Sequence, residues 1–548
     1  MAAVAGLRSV LLPGSTASSS SKLNGHFVPQ QAERRPLNAT INTNSINATY
    51  SDDKPSFTWT VGLINSKQRY LTAETFGDKV NVTGTTLKKK QIWTLVPGHA
   101  YNVVALCSHM GKYLSIDQYG NVTCQAEDVG EEQTLTIVEA NDGSGRWAFR
   151  NEKYQYYLTG EGEKLSGVNK ARLDVDYWAV HLCTQPMCCL RSSGRKRYGR
   201  MAGDELVCDQ DVAWGREALL RLEFTTDWRY SIRTYSGLYL NRNGQLSQEQ
   251  ASPDTRFTLV FYAGQVAFRD NTGKFLSPFG NEASLRCKSG NITKSELFIL
   301  EHAQPQCALL AHNGRLVSIR QGVDLSANQD VMTENEIFQL EGDPTTNSWH
   351  IRTRHNRYWT IGPSNGVQAC ADPGGSNWEG SGFELVYPSN GQGKVALRSR
   401  KNGRFLMVRP TGHLFAQADG EDNAEKFQLL LLNRPVLALR CVHGFVGLKN
   451  PISSGKLECN KSSFECIAME NGPDGTVYLS GSNKKYLDVG EDKTINADSV
   501  EPKPFYLQLK NNGKVILKAP NGYFVVGEQN GLFKANGAKE QAATEWAY

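Results

Sequence analysis

The chain has 548 residues, of which 39% are hydrophobic and 21% are charged, and its formal net charge is only +5. A single hydrophobic core stops growing at roughly 250 to 300 residues, so the length predicts several domains. The charge is too small to indicate a nucleic-acid-binding protein, and no run approaches the roughly 18 apolar residues of a membrane helix. We therefore expect neither a nucleic-acid partner nor membrane insertion.

Residues 1–55 differ in composition from the rest of the chain. A short apolar run interrupted by Arg8 is followed by Ser- and Asn-rich sequence, and the first acidic residue is Glu33. Transit peptides and disordered extensions share this composition. We interpret residues 1–55 as a disordered N-terminal extension, with a transit peptide as the alternative.

From Gln68 onward, one short string recurs through the chain. QRYLTAETFGDKVNV, GKYLSIDQYGNV and QYYLTGEGEKLSG each combine an aromatic-Leu pair with a polar turn. The central residue of the string recurs about every forty residues, a period typical of solenoids, propellers and other repeat arrays. It occurs twelve times, at Tyr70, Tyr113, Tyr157, Tyr198, Tyr239, Phe275, Leu316, Tyr358, Phe405, Phe445, Tyr486 and Tyr523.

Each repeat contains short apolar strands separated by Gly- and Asn-containing turns, which predicts an all-β protein. A propeller is disfavoured because twelve blades exceed the usual four to eight and the combined Gly-His and Trp-Asp signal of a propeller blade is absent. Three repeats per domain instead predict four tandem β-trefoils, each built of three repeats of about forty residues. The predicted domains are 56–185, 186–304, 305–433 and 434–548.

The twelve cysteines contain no C-x-x-C pair and show no metal-ligand spacing, so we expect free thiols in small core sites. Because side chains alternate along a strand, only one of the adjacent Cys188 and Cys189 is predicted to be buried. No phosphate-binding, dinucleotide-binding or hydrolase motif occurs. We therefore predict no metal, no cofactor and no enzymatic activity.

Several longer strings carry a resemblance to a known family. They are GLINSKQRYLTAETFGDKVN, LKKKQIWTL, DLSANQD, FQLE, RPVLALRCVHGFVG and the terminal EWAY. From about residue 57 to the C-terminus, the chain resembles the fascins, which are actin-bundling proteins of four tandem β-trefoils. The resemblance implies a monomeric cytoplasmic protein that cross-links filamentous actin into tight parallel bundles in filopodia and similar protrusions.

The resemblance also implies a basic actin-binding cleft between the first and fourth trefoils. Val442 stands where the family pattern has Glu, so the electrostatics of this cleft are expected to differ here. The positions that match the family's actin-binding residues are Arg69, Lys88, Lys90, Arg440, His443, Lys449 and Lys485.

Thr86 occupies the position of a family serine that protein kinase C phosphorylates to switch off bundling. The resemblance implies that a kinase of this type regulates the chain through Thr86. A phosphate there would carry a charge near −2 and would pair with Lys88 or Lys90.

Two alternatives remain open at the level of sequence. The string Gln91-Ile92-Trp93 matches the Q-x-W of carbohydrate-binding trefoil lectins, but it occurs once where a lectin repeats it, so we predict that Trp93 is a core residue. The basic run Arg191–Arg200 is either a second basic surface or a solvated hairpin.

Overall fold

The computed structural model describes residues 58–548 except 141, 184, 249–251, 321, 389–392 and 451–454. The predicted extension, residues 1–55, lies outside these residues. Within them the chain forms 49 β-strands and ten short 3-10 helices, with no α-helix. The 3-10 helices are Lys89–Gln91, Asp174–Asp176, Arg216–Ala218, Pro253–Thr255, Glu334–Glu336, Pro363–Asn365, Trp378–Ser381, Glu421–Asn423, Pro473–Gly475 and Glu540–Ala542.

The strands group into four sheets that follow one another along the chain. The first contains β1 (Thr60–Ile64), β2 (Tyr70–Ala73), β3 (Val80–Gly84), β4 (Trp93–Pro97), β5 (Val103–Ser108), β6 (Tyr113–Ile116), β7 (Val122–Ala126), β8 (Leu135–Glu139), β9 (Trp147–Asn151), β10 (Tyr157–Glu161), β11 (Lys164–Asn169) and β12 (Tyr177–Leu182). The second contains β13 (Met187–Ser192), β14 (Arg197–Ala202), β15 (Glu205–Gln210), β16 (Leu220–Phe224), β17 (Tyr230–Thr234), β18 (Tyr239–Leu240), β19 (Leu246–Ser247), β20 (Thr258–Tyr262), β21 (Gln265–Arg269), β22 (Phe275–Phe279), β23 (Ser284–Ser289) and β24 (Phe298–His302).

The other two sheets make up the C-terminal half. The third contains β25 (Gln306–Leu310), β26 (Leu316–Ser318), β27 (Ser326–Gln329), β28 (Phe338–Asp343), β29 (Ser348–Thr353), β30 (Tyr358–Ile361), β31 (Val367–Ala371), β32 (Gly382–Val386), β33 (Lys394–Ser399), β34 (Phe405–Val408), β35 (Leu414–Ala418) and β36 (Phe427–Leu431). The fourth contains β37 (Val436–Leu437), β38 (Arg440–Cys441), β39 (Gly444–Leu448), β40 (Leu457–Lys461), β41 (Ile467–Asn471), β42 (Thr476–Ser480), β43 (Tyr486–Val489), β44 (Ile495–Ser499), β45 (Pro504–Lys510), β46 (Lys514–Lys518), β47 (Phe524–Gly527), β48 (Phe533–Gly537) and β49 (Trp546–Ala547).

Strand pairing in the first sheet shows the threefold plan of a β-trefoil. Six strands close an antiparallel barrel in the order β1, β4, β5, β8, β9 and β12, and β12 pairs back to β1. The remaining strands form three hairpins, β2–β3, β6–β7 and β10–β11. The third sheet repeats the same closed order from β25 to β36. The predicted all-β fold of four tandem β-trefoils is confirmed.

The recurring aromatic-Leu pair fills the core of each repeat. In the first domain the aromatic residue begins a hairpin strand, and the following Leu71, Leu114 and Leu158 are each 0% exposed. Trp93 is also 0% exposed, and its indole N–H donates to the carbonyl oxygen of Leu71 at 3.0 Å. The prediction that Trp93 is a core residue is confirmed.

The domains are joined in pairs by shared apolar cores. One continuous cluster extends from Trp59 in the first sheet to Leu300 in the second, and another extends from Cys307 to Tyr548. The strands of the four sheets fall at 60–182, 187–302, 306–431 and 436–547. The domain boundaries given above remain a prediction.

The prediction for Cys188 and Cys189 is wrong, because both side chains are buried, at 2% and 4% exposure. Cys188 packs into the core shared by the first two domains, whereas Cys189 lies on the same face of β13 as Met187, which packs against Ala438 of the fourth domain. The strand β13 is therefore covered on both faces. Burial raises the pKa of Cys189 to about 12, so neither of these thiols has the properties of a reactive cysteine.

Candidate functional site

A narrow crevice forms where the turn after β3 meets the first hairpin of the fourth domain. The backbone N–H of Leu87 donates to the hydroxyl of Ser462, 375 positions further along the chain, at 2.8 Å. This hydrogen bond joins the first domain to the loop between β40 and β41. The crevice is lined by Leu87, Lys88, Lys89, Ile92, Arg440, Cys441, Val442, Gly444, Phe445 and Lys461.

The lysine-rich turn is held by a buried glutamine. The side-chain oxygen of Gln91 accepts from the backbone N–H of Lys88 at 3.1 Å, and its amide nitrogen donates to the hydroxyl of Thr72 at 3.0 Å. These two bonds fix the 3-10 turn against β2, while the side chains of Lys88 and Lys89 are exposed. The backbone of the turn is therefore held in one conformation, and its lysine side chains extend into the solvent.

The opposite wall is the tight turn between β38 and β39. Gly444 has φ of +140°, and a Cβ atom on it would lie 2.8 Å from both the Asn460 carbonyl carbon and the Lys461 carbonyl oxygen. The absence of a side chain thus lets the turn pack directly onto β40. Val442, which is 75% exposed, and the half-buried His443 form the tip of this turn.

Arg440 is the half-buried cation of the crevice. Its guanidinium carbon lies 5.2 Å from the ring centre of Phe445, a cation–π contact. Burial lowers the pKa of Arg440, and burial together with the charge of Arg440 lowers the pKa of His181 to about 4. An arginine stays protonated under such a shift, so the crevice keeps this positive charge.

The cations of this region differ in whether a carboxylate neutralises them. Within the part of the chain that the structure describes, Lys88, Lys89 and Arg440 have no carboxylate within ion-pair distance. Lys90 pairs with Glu74 at 2.7 Å, and the hydrogen bond from Lys90 lowers the pKa of Glu74.

A second ion-pair group continues the basic surface along β39 and β40. Glu458 contacts Lys449 at 3.2 Å and Lys461 at 2.6 Å. Lys461 also lines the crevice, so the pair of lysines extends the positive charge away from Arg440.

The structure brings together only some of the residues predicted for the site. Lys88 and Arg440 line the same crevice, and His443 lies at its edge. Arg69 is not among the described lining residues; it stands just before β2, where its guanidinium donates to the Thr83 carbonyl oxygen at 3.4 Å. Lys485 lies in the turn between β42 and β43 and is not among the described residues that line the crevice.

Sequence reasoning missed Lys89 and Lys461 as lining residues. Lys89 lies within the string LKKK, between the predicted site residues Lys88 and Lys90, and this position was the sequence signal that could have identified it. Lys461 pairs with Phe445 across β39 and β40, and only the register of that hairpin reveals it.

The described residues contain no cluster of His, Cys, Asp and Glu able to hold a metal ion. Among the same residues, no helix is long and apolar enough to cross a membrane.

Fold and crevice together define a protein of four β-trefoils with a basic crevice between its first and last domains. The Fascin domain family matches the chain over residues 67–180, 191–300, 312–429 and 443–548. The chain belongs to the fascin family.

Individual relatives match along nearly their whole length. Fascin-2 of Bos taurus is 33% identical over 492 residues, covering 89% of this chain and 97% of that protein. Fascin-2 of Homo sapiens is 34% identical over 494 residues, with coverage of 89% and 97%. Fascin of Strongylocentrotus purpuratus is 31% identical over 505 residues, with coverage of 89% and 98%.

Proposed function

We propose that this chain binds actin filaments through the crevice and cross-links them into tight parallel bundles. The observation that carries the proposal is a group of three cations between the first and fourth domains, Lys88, Lys89 and Arg440, that have no carboxylate within ion-pair distance among the described residues. Filaments expose acidic surface, and several cations held together steer an acidic partner without a deep pocket. Membership of the fascin family supports the same function.

Cross-linking requires at least two filament-binding surfaces on one stiff body. The two shared cores hold the domains in pairs, and the fourth domain also packs on the second through Met187, Leu219 and Ala438. Such packing supports a monomer that acts as a rigid spacer between filaments. We propose that it works in the cytoplasm, on the actin cytoskeleton of cell protrusions, without any enzymatic activity.

The proposed filament contacts fall into three groups. Lys88 and Arg440 act inside the crevice and His443 acts at its edge. Lys90 and Lys449 are exposed, and their ion pairs with carboxylates are weak enough in water to exchange for filament carboxylates. Outlying contacts are assigned to Arg69 and Lys485.

We propose Thr86 as the regulatory phosphorylation site, modified by a kinase of the protein kinase C type. Thr86 is exposed and stands two residues before Lys88, immediately beside the bond that joins Leu87 to Ser462. A phosphate at this position adds nearly two negative charges to the rim of the crevice and competes for its lysines.

Paired sedimentation with filamentous actin tests the function. Low-speed centrifugation pellets bundles and high-speed centrifugation pellets single filaments. We expect the chain to appear in both pellets. Its absence from both would reject the proposal, and retention on a galactose column would then be the test of the lectin alternative, which the buried Trp93 disfavours.

A further inference from the structure

Two cysteines of the fourth domain meet directly behind the crevice. The thiol of Cys441 donates to the carbonyl oxygen of Cys459 at 3.5 Å and lies within hydrogen-bonding range of the Cys459 thiol. The Cys459 sulfur lies 3.3 Å from the carbonyl oxygen of Leu532 and 3.5 Å from that of Glu528, and either can accept its single S–H. Both side chains therefore have fixed positions.

Two glycines allow this approach. Gly444 lets the β38–β39 turn pack onto the backbone of β40, which carries Cys459. A Cβ atom on Gly527 would lie 3.1 Å from the Cys459 sulfur and 3.4 Å from the Cys441 sulfur. The two sulfurs thus share a small space that a side chain at 527 would fill.

The two thiols differ in access and in electrostatic environment. Cys441 is 9% exposed and lines the crevice beside Arg440 and Lys461, whereas Cys459 is 0% exposed. The hydrogen bond with the Cys459 thiol lowers the pKa of Cys441 despite its burial, and the charge of Arg440 acts in the same direction. A cysteine that favours the thiolate, opens onto a basic crevice and contacts a second thiol has the features of a reactive cysteine with its resolving partner.

We propose that Cys441 and Cys459 form a peroxide-sensitive redox pair, in which Cys441 is oxidised first and Cys459 closes a reversible disulfide. The Cys441 thiolate attacks hydrogen peroxide, so that an S–O bond forms, the O–O bond breaks and hydroxide leaves, giving a sulfenic acid. The sulfur of Cys459 then attacks the sulfenic sulfur. The S–S bond forms, the S–O bond breaks, and water leaves with the proton of Cys459. Two electrons pass from the two sulfurs to the peroxide, and a dithiol reductant reverses the oxidation.

Oxidation changes the crevice because a disulfide is much shorter than a thiol hydrogen bond. The sulfurs must approach to about 2.05 Å, which draws β38 towards β40. Arg440 is the neighbour of Cys441 on β38 and is held over Phe445, so its guanidinium moves with the strand. Oxidation therefore weakens filament binding, a consequence that rests on the function proposed above.

Peptide mapping of the full-length chain tests the pair without reference to function. The protein is treated with hydrogen peroxide, its remaining thiols are alkylated under denaturing conditions, and its digest is analysed by mass spectrometry. We expect a peptide pair linked through Cys441 and Cys459 that disappears with dithiothreitol, while the deeply buried Cys188 and Cys189 serve as internal controls and stay reduced. Alkylation of both Cys441 and Cys459 after peroxide overturns the proposal.

Filament sedimentation of the reduced and peroxide-treated protein tests the consequence. We expect the treated protein to lose most of its filament binding and to regain it with dithiothreitol, whereas Cys441→Ser shows the same binding before and after peroxide. A linked protein that binds as well as the reduced protein overturns the switch. Failure of the reduced protein to bind filaments rejects the proposed function instead, and the peptide map still decides on the redox pair.

Discussion

Two regions of this molecule are rich in cations, but they differ in whether those cations form ion pairs with carboxylates. In the basic run Arg191–Arg200 three of the four arginines pair with carboxylates and the fourth, Arg195, donates to the carbonyl oxygen of Gly280. Lys88, Lys89 and Arg440 of the crevice have no carboxylate within ion-pair distance among the described residues. The number of cations in a sequence therefore does not identify a binding surface. The decisive property is whether the fold already neutralises them.

Two ion pairs of the run Arg191–Arg200 are made by arginines of the β14–β15 hairpin. Arg200 contacts Asp209 at 2.6 Å, and Arg197 pairs with Asp211 in the same way. Of the two sequence interpretations of this run, the ion pairs favour the solvated hairpin over a second basic surface.

The largest effect is expected from reversing charge at the crevice. The double substitution Lys88→Glu and Lys89→Glu replaces two attractions by two repulsions, and we expect filament affinity to fall more than about tenfold, or about 1.4 kcal/mol. High-speed sedimentation over a range of filament concentrations measures this loss. Binding equal to that of the wild type would remove the crevice from the filament contact.

Ionic strength is expected to have the next largest effect. Raising the salt from about 0.01 M to about 0.1 M shortens the Debye length from about 30 Å to about 10 Å, so contacts made by exposed lysines weaken. We expect the affinity of the wild type to fall several-fold, and that of the Lys88→Glu and Lys89→Glu variant to change less. Affinity that does not depend on salt would contradict an electrostatic contact.

A negative charge at Thr86 is expected to have the third largest effect on filament binding. The change Thr86→Glu places a carboxylate beside Lys88, and we expect filament affinity to fall about threefold, or about 0.7 kcal/mol. Thr85→Glu is the matched control, because Thr85 is equally exposed but lies one residue further from the lysines. Bundling by Thr86→Glu at the wild-type level would rule out regulation by a phosphate at this position.

The smallest effect concerns the bond that closes the crevice. Ser462→Ala leaves the backbone N–H of Leu87 without its acceptor, and we expect the free energy of unfolding to fall by about 1 kcal/mol. Denaturant unfolding measures this change, with Ser463→Ala as the control at an exposed neighbour. Equal stability of the two variants would show that the bond contributes little to the junction.

The fold could be predicted because the sequence pattern that specifies it recurs at a regular spacing. The repeated string places a buried Leu at the same point of each hairpin, as Leu71 and Leu114 show, and three such strings close one trefoil. The site was only partly predictable. Lys88 and Arg440 came from the family resemblance, whereas Lys461 and the Ser462–Leu87 bond depend on contacts between distant parts of the chain.

The cysteines illustrate the same limit. Alternation along a strand predicts that one of Cys188 and Cys189 is exposed, but this rule assumes that one face of the strand meets water. Here a neighbouring domain covers the second face. The thiols that do meet, Cys441 and Cys459, lie 18 positions apart and are joined through a turn that only the structure shows.

The most direct test of the central claim places the two basic regions side by side. Filament affinity is measured under the same conditions for a variant with Lys88→Glu and Lys89→Glu and for a variant with Arg197→Glu and Arg200→Glu. Each variant changes the net charge equally. The account predicts that the first variant loses filament binding and the second keeps it. Equal losses in both would mean that total charge, and not the crevice between the first and fourth domains, determines filament binding.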